Sequence, residues 1–156
     1  MRQDSRFSRV LHALLHLENM EGPVTSDDIA HRLGTNPAVV RRTLAGLRDA
    51  GILISVKGHG GGWSLAKSLA DTTFYDVYDA LGSPPLFAIG NDENDPSCNF
   101  EGVANAAVTE VLALAHAEFI RALHARTVAS LVHDRHAIDD THRDTADNLI
   151  KLNSGS

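Results

Sequence analysis

The sequence has little of the material that disulfides, metal clusters and membrane spans require. It contains a single cysteine, Cys98, in 156 residues, so an internal disulfide and a four-thiolate metal site are both excluded. No apolar run approaches the roughly 20 residues needed to cross a bilayer. The basic, then apolar N-terminus is interrupted by polar residues at helical spacing and lacks a small-residue cleavage site, unlike a signal peptide. We therefore expect a cytoplasmic protein with no membrane partner.

Motifs of catalysis are also missing. The sequence shows no nucleophile–base set, no paired-carboxylate pattern and no cofactor fingerprint. The glycine-rich stretch at residues 58–62 is not a P-loop, because no Gly-Lys-Ser/Thr follows it and the next segment reads as a strand. These absences predict that the protein is not an enzyme.

The charge is unevenly distributed. The chain carries a formal net charge of −6. Residues 36–67 hold five lysines and arginines against one aspartate, so this segment is at +4 and the remainder at −10. A local positive surface on an acidic body can bind phosphate while limiting unspecific adhesion. Nucleic acid is therefore a candidate partner despite the acidic total.

Hydrophobic periodicity and turn residues predict a mostly α-helical chain with one small β-hairpin. The predicted helices cover residues 5–19, 26–33, 37–50, 74–81 and 101–126, and the hairpin covers 52–66. We predict four parts: a DNA-binding domain at 1–82, a loop carrying Cys98 at 83–100, a dimerisation helix and final turn at 101–133, and a polar tail at 134–156.

Two helices joined by a tight turn and followed by a hairpin give the order of a winged helix-turn-helix. In the second helix, Val40, Leu44 and Leu47 point one way at about 100° per residue. The other side carries small alanines, which admit base edges, and arginines, which reach phosphates or guanine: Ala38, Arg41, Arg42, Ala45 and Arg48. The helix N-terminus at 36–38 would offer N–H groups to a phosphate. An ordinary surface helix with solvated arginines is the alternative.

The hairpin tip, Lys-Gly-His-Gly-Gly-Gly-Trp at 57–63, has more glycine than a two-residue turn needs. Extra glycines cost conformational entropy and indicate close backbone approach. A wing lying against phosphates or the minor groove would use such an approach, with Lys57 and His59 as contacts.

These motifs together resemble the Rrf2 family of winged-helix repressors. The resemblance rests on Asn-Pro-x-Val-Val-Arg-Arg from residue 36, Leu-x-x-Ala-Gly-Ile-Leu from residue 47 and the glycine-rich wing, in that order, and covers residues 5–133. It implies a cytoplasmic homodimer that binds a palindromic operator in double-stranded DNA. By this resemblance the DNA-contacting positions are Ser26, Asn36, Pro37, Ala38, Arg41, Arg42, Lys57, Gly58, His59 and Gly60.

The long helix predicted near the C-terminus indicates how two copies associate. About 25 residues span roughly 38 Å, which is longer than a small domain needs for its own core. Its alanine-rich apolar stripe, with Val111, Phe119 and Leu123, would let two copies pack about a two-fold axis and set two recognition helices about one DNA turn apart. The alternative is a helix folded back on its own domain.

The resemblance also bears on cofactors. Cluster-binding members carry three cysteines in the loop before the long helix, and this sequence keeps one, Cys98. An iron–sulfur cluster is therefore not expected. Cys98 remains a candidate redox or electrophile sensor, because the following helix N-terminus would lower its thiol pKa while neighbouring carboxylates would raise it. An inert cysteine in a docking loop is the alternative.

Nine histidines raise the question of a metal site. His12 and His16 lie four residues apart on one helix, and His133, His136 and His142 lie near the tail. Neither group has a clear third or fourth ligand, so solvated or core histidines are predicted, with no metal.

The predicted function is a DNA-binding transcriptional regulator, with two alternatives. One is a redox-sensing regulator of the same fold switched at Cys98. The other is a winged-helix protein-interaction module, which would need neither Arg41 and Arg42 nor a basic wing.

Overall fold

The computed structural model describes residues 5–87, 89 and 99–132. Its elements in chain order are α1 (Arg6–Glu18), α2 (Ser26–Leu33), α3 (Pro37–Asp49), β1 (Leu53–Val56), β2 (Gly62–Leu65), α4 (Phe74–Ala80) and α5 (Asn99–His124). The predicted fold class, helices around one hairpin with a long C-terminal helix, is confirmed. Cys98, the histidines from 133 onward and the tail lie outside the described residues.

The ends of the first helices follow from their capping residues. The Thr25 side chain accepts a hydrogen bond from the Asp28 N–H and starts α2. Gly34, at φ 60° and ψ 42°, ends α2 in the left-handed conformation that glycine adopts without strain. Asn36 then caps α3, and Pro37 is its first residue. The turn between α2 and α3 is therefore only three residues long, as a helix-turn-helix requires.

One hydrophobic core joins α1, α2 and α3 to the β1–β2 hairpin. Leu14 of α1 and Leu47 of α3 have no exposed surface, and Leu53 of β1 is almost as deeply buried. The β1–β2 hairpin and α3 therefore share one hydrophobic core, which fixes their relative positions.

The hairpin belongs to a sheet with one more pairing than the sequence predicts. β1 and β2 pair antiparallel, from Leu53 opposite Leu65 to Val56 opposite Gly62. Val24 pairs with the other edge of β2: its N–H donates to the Trp63 carbonyl at 2.9 Å and its carbonyl accepts from the Trp63 N–H at 2.8 Å. One paired residue gives no alternation for sequence analysis to detect, yet it covers the free edge of β2.

Gly46 allows α3 to pass close to the C-terminal end of α4. A Cβ at this position would lie 2.6 Å from the backbone oxygen of Ala80. We expect Gly46→Ala to lower the free energy of unfolding by about 1–3 kcal/mol, because a backbone oxygen cannot swing aside as a side chain can. Gly102→Ala in α5 is the matched control: no atom lies within 4 Å of its Cβ, so alanine should be neutral or slightly stabilising. Chemical denaturation measures both, and equal effects would contradict the steric explanation.

The C-terminal half of α5 packs on its own domain. Phe119 meets the ring of Tyr78 edge-on at 5.4 Å, and Leu123 is buried. The chain then returns to the start of α4, where the Val128 N–H donates to the Thr72 carbonyl at 2.8 Å. The prediction that Phe119 and Leu123 belong to a dimer stripe is therefore wrong for these two residues, and the fold-back alternative describes this half of the helix.

The other apolar residues of α5 lie on a different face. Val103, Val111 and Leu114 are 72%, 65% and 64% exposed. At about 100° per residue they fall within roughly 80° of one another and point away from Phe119 and Leu123. The sequence stripe thus divides into an inner face on the domain and an outer face in solvent.

By length and composition, α5 could also cross a membrane. Its segment Phe100–His124 has 25 residues and contains an 18-residue window with a mean hydropathy of 1.3. The sequence expectation concerned uninterrupted apolar runs, and Glu110, His116 and Glu118 interrupt this one. Core helices of soluble proteins pass the same test, so length and hydropathy alone do not assign α5 to a membrane.

Candidate DNA-binding surface

The exposed face of α3 has the composition that a recognition helix needs. Val40, Leu44 and Leu47 are buried, as predicted. Ala38, Arg41 and Arg42 are exposed on the outer side, and Val39 beside them is 40% exposed. Short side chains near the start of the helix leave room for base edges, and the arginines provide long donors one turn further on.

Arg41 and Arg42 carry uncompensated charge. Within residues 5–87, 89 and 99–132, no carboxylate lies within 4.0 Å of either guanidinium. Arg48, on the last turn of the same helix, differs: it forms an ion pair with Asp49 at 2.8 Å. The positive potential of α3 is therefore strongest in its first half, where a phosphate would displace only water and counterions.

The N–H groups at the start of α3 are satisfied within the helix. The Asn36 Oδ1 atom accepts a hydrogen bond from the Ala38 N–H at 2.7 Å. Pro37 has no N–H, and the Val39 N–H donates to the Asn36 carbonyl at 3.0 Å. The expectation that residues 36–38 offer free N–H donors to a phosphate is therefore not met at Pro37 and Ala38.

The glycines of the wing serve the hairpin itself. Gly58 and Gly60 have φ values of 94° and 75°, which other residues rarely adopt. A Cβ on Gly61 would overlap the Val56 carbonyl, and one on Gly62 would lie 2.5 Å from the Val24 oxygen. The inference that extra glycine marks close approach is right, but at Gly61 and Gly62 the approaching backbone is the protein's own.

The side chains at the wing tip remain available to a partner. Lys57 and His59 are exposed, and the two glycines that alternate with them face open space. The predicted wing residues Lys57, Gly58, His59 and Gly60 therefore form one continuous exposed turn, which a phosphate backbone could approach closely.

Ser26 differs from the other predicted DNA contacts. It is 9% exposed, and its Oγ atom accepts a hydrogen bond from the Trp63 indole N–H at 2.9 Å. Trp63 lies on β2, so this bond joins the start of α2 to the wing strand. The structure therefore gives the Ser26 hydroxyl a hydrogen-bonding role inside the fold.

We expect Ser26→Ala to lower the free energy of unfolding by about 1–3 kcal/mol, because it leaves the buried Trp63 N–H unpaired. Trp63→Phe removes the indole N–H donor, so Ser26→Ala should lower the free energy of unfolding little further when it is introduced into that variant. DNA affinity of the folded Ser26→Ala protein should change less than about threefold. A large loss of affinity with unchanged stability would return Ser26 to the DNA contacts.

Two arginines near this surface were missed in the sequence analysis. Arg6 and Arg9 of α1 line the same small depression as Val39 and Thr43 of α3. The exposed Arg9 extends the positive surface from α3 onto α1. Their signal in the sequence is the basic N-terminal segment, where Arg6 and Arg9 lie three residues apart.

Comparison with known proteins places this geometry in a family. The model of the family described as "Rrf2: Iron-dependent Transcriptional regulator" matches residues 3–134. The HTH-type transcriptional regulator YwgB of Bacillus subtilis is 35% identical over 83 residues, 52% of this chain and 53% of that protein. YwnA of the same organism is 38% identical over 96 residues, covering 61% and 70%. The match thus spans about half the length of the first relative.

A solved structure extends the likeness over nearly the whole chain. A transcriptional regulator from Lactobacillus plantarum is 25% identical, with a TM-score of 0.74, and the match covers 92% of this chain and 98% of that one. The winged helix and the long C-terminal helix therefore occur together in both.

The residues present do not fit an iron–sulfur cluster. The family description includes iron dependence, and such clusters are held mainly by several thiolates. This sequence has one cysteine. Among the described residues, no three His, Cys, Asp or Glu side chains are grouped as a metal site would require.

The family model matches well over half of the chain, and the motifs that resemble the family occupy the expected elements. The Asn-Pro start opens α3, and the glycine-rich stretch connects β1 to β2. The chain therefore belongs to the Rrf2 family of transcriptional regulators.

Proposed function

We propose that this chain is a sequence-specific DNA-binding regulator that acts in the cytoplasm as a homodimer on a palindromic operator. The observation that carries the proposal is the first half of α3, which exposes Arg41 and Arg42 without an ion-pair partner in the described residues. Two solvated arginines need no carboxylate partner in the free protein. They become strong binding elements once phosphates or guanine edges replace the water around them.

The exposed composition suggests how the sequence of an operator is read. Major-groove guanine presents two acceptors that match an arginine fork, and thymine presents a methyl group that suits an apolar side chain. Arg41 and Arg42 would supply the first contact or bind phosphates, and the exposed Val39 would supply the second. Lys57 and His59 at the wing tip would bind the flanking backbone or minor groove.

The outer face of α5 supports the dimer. It consists of apolar residues that have no partner within the described chain: Phe100, Val103, Ala107, Val111 and Leu114. Contiguous exposed apolar surface on a soluble protein marks an interaction site. Packing of this face on its own copy would be isologous, and it would present two α3 helices to the two halves of a palindrome. Occupation of a promoter would then repress it by steric blocking.

Binding to DNA upstream of the gene encoding this protein tests the proposal. Fluorescence anisotropy at several salt concentrations should show affinity for that DNA well above affinity for random DNA, falling steeply with salt as counterions are released. If neither upstream DNA nor any fragment from a genome-wide selection binds above background, the chain is instead a winged-helix protein-interaction module.

A further inference from the structure

We propose that His12 and His16 form a bidentate chelating site on α1 for a divalent transition-metal ion of the nickel or copper type. The two Nε2 atoms are 3.0 Å apart. This is independent of the proposed DNA function, since it rests only on the geometry of α1.

The separation of the two nitrogens matches a specific coordination geometry. Imidazole nitrogens bind such metals at about 2.05 Å. Two nitrogens 3.0 Å apart, each at that distance from one ion, subtend an angle of about 94° at the metal. Adjacent positions of a square-planar or octahedral ion subtend 90°, which is the preference of Cu²⁺ and Ni²⁺. The two nitrogens share a hydrogen bond at this distance, so one Nε2 carries a proton. A bound metal ion takes the place of that proton, which moves to solvent or to Nδ1 of the same ring, while the nitrogens keep nearly the same separation.

The site is open to solvent. The His12 ring is exposed, which leaves a path for the ion.

Two limits on the site follow from its surroundings. In the described part of the chain, no third His, Cys, Asp or Glu side chain joins the pair, so water fills the remaining positions and the affinity is modest. Arg32 lies close enough to His16 for its positive charge to oppose a bound cation. Its guanidinium also donates a hydrogen bond to the Met20 sulfur at 3.8 Å. Nitrogen ligands favour Cu²⁺ and Ni²⁺, whereas Mg²⁺ and Ca²⁺ prefer oxygen and should not bind here.

Titration of the purified full chain with Cu²⁺ or Ni²⁺ tests the site. We expect His12→Gln and His16→Gln each to weaken binding at least about tenfold, since losing even an outer-shell partner of a metal ligand costs that much. His31→Gln on α2 is the matched control and should bind like the wild type. A protein with His133, His136 and His142 all changed to glutamine should also retain the site.

Nuclear magnetic resonance supplies a direct readout. Substoichiometric Cu²⁺ should broaden the imidazole C–H signals of His12 and His16 before those of other histidines. Metal should also raise the Tm of the wild type but not of His12→Gln, because the ion joins two turns of a helix. Binding that is unchanged in both α1 variants, or lost only in the tail variant, would overturn the proposal.

Discussion

Replacing Arg41 and Arg42 together with alanine is expected to weaken binding to the specific operator by about 100-fold or more at physiological salt. Each arginine contact with a guanine edge or a phosphate contributes about 1–3 kcal/mol, and two are lost. The slope of log affinity against log salt should also become shallower by up to about 2 units if both side chains bind phosphates. Both side chains are exposed on α3, so the Tm should barely change.

The matched control removes the same charge elsewhere. Lys67 and Arg121 are each paired with a carboxylate, Asp76 and Glu118, and neither lies on α3. Their double alanine variant should keep operator affinity within about threefold. If both double variants lose affinity equally, general charge rather than the α3 surface governs binding, and the recognition-helix assignment fails.

Placing glutamate at both Val111 and Leu114 is expected to convert the dimer to a monomer and to reduce operator affinity by at least about 100-fold. Two charges in an apolar interface have no partner and would have to be desolvated. A monomer also loses the second half-site, and linked binding of two sites is typically stronger than either alone by 10²–10⁴. Light scattering measures the mass, and anisotropy measures the affinity.

The same helix offers a control for added charge. Ala106 and Ala113 are exposed on α5, on a side away from both the outer apolar face and the domain contact. Glutamate at these two positions should leave a dimer with near wild-type affinity. A monomeric wild-type protein that nevertheless binds its operator tightly would contradict the dimer proposal itself.

Local chemistry made most of the elements predictable. The Asn36-Pro37 start of α3 and the Gly34 end of α2 are decided within a few residues, and the sequence therefore indicated both closely. The buried stripe of α3 was equally clear, because amphipathic spacing reflects one neighbour, the core. The candidate DNA surface is the complement of that stripe, so its exposed residues followed from the same pattern.

What the sequence missed depends on contacts distant along the chain. The bond between Ser26 and Trp63 joins residues 37 positions apart, and no local pattern distinguishes a serine that binds indole from one that faces DNA. The division of α5 into two faces has the same origin, because Phe119 is apolar whether it meets Tyr78 or a second molecule. Likewise, only tertiary packing shows that Gly62 accommodates the backbone of Val24, far earlier in the chain.

The attachment of α5 to its domain has a mechanical consequence. The helix is held at its C-terminal end by the Tyr78–Phe119 contact and the buried Leu123, while its apolar outer face lies further toward the N-terminal end. A 26-residue helix is about 39 Å long, so it acts as a stiff lever clamped at one end. In the proposed dimer the outer faces meet near residue 107 and the clamp lies near residue 121, about 21 Å away at 1.5 Å per residue. A tilt of about 5° at that contact would move each clamped domain by roughly 2 Å. A signal therefore need not reshape the winged helix. In the proposed dimer, a small change in the angle between the two α5 helices would shift the two α3 helices away from the spacing of their DNA half-sites.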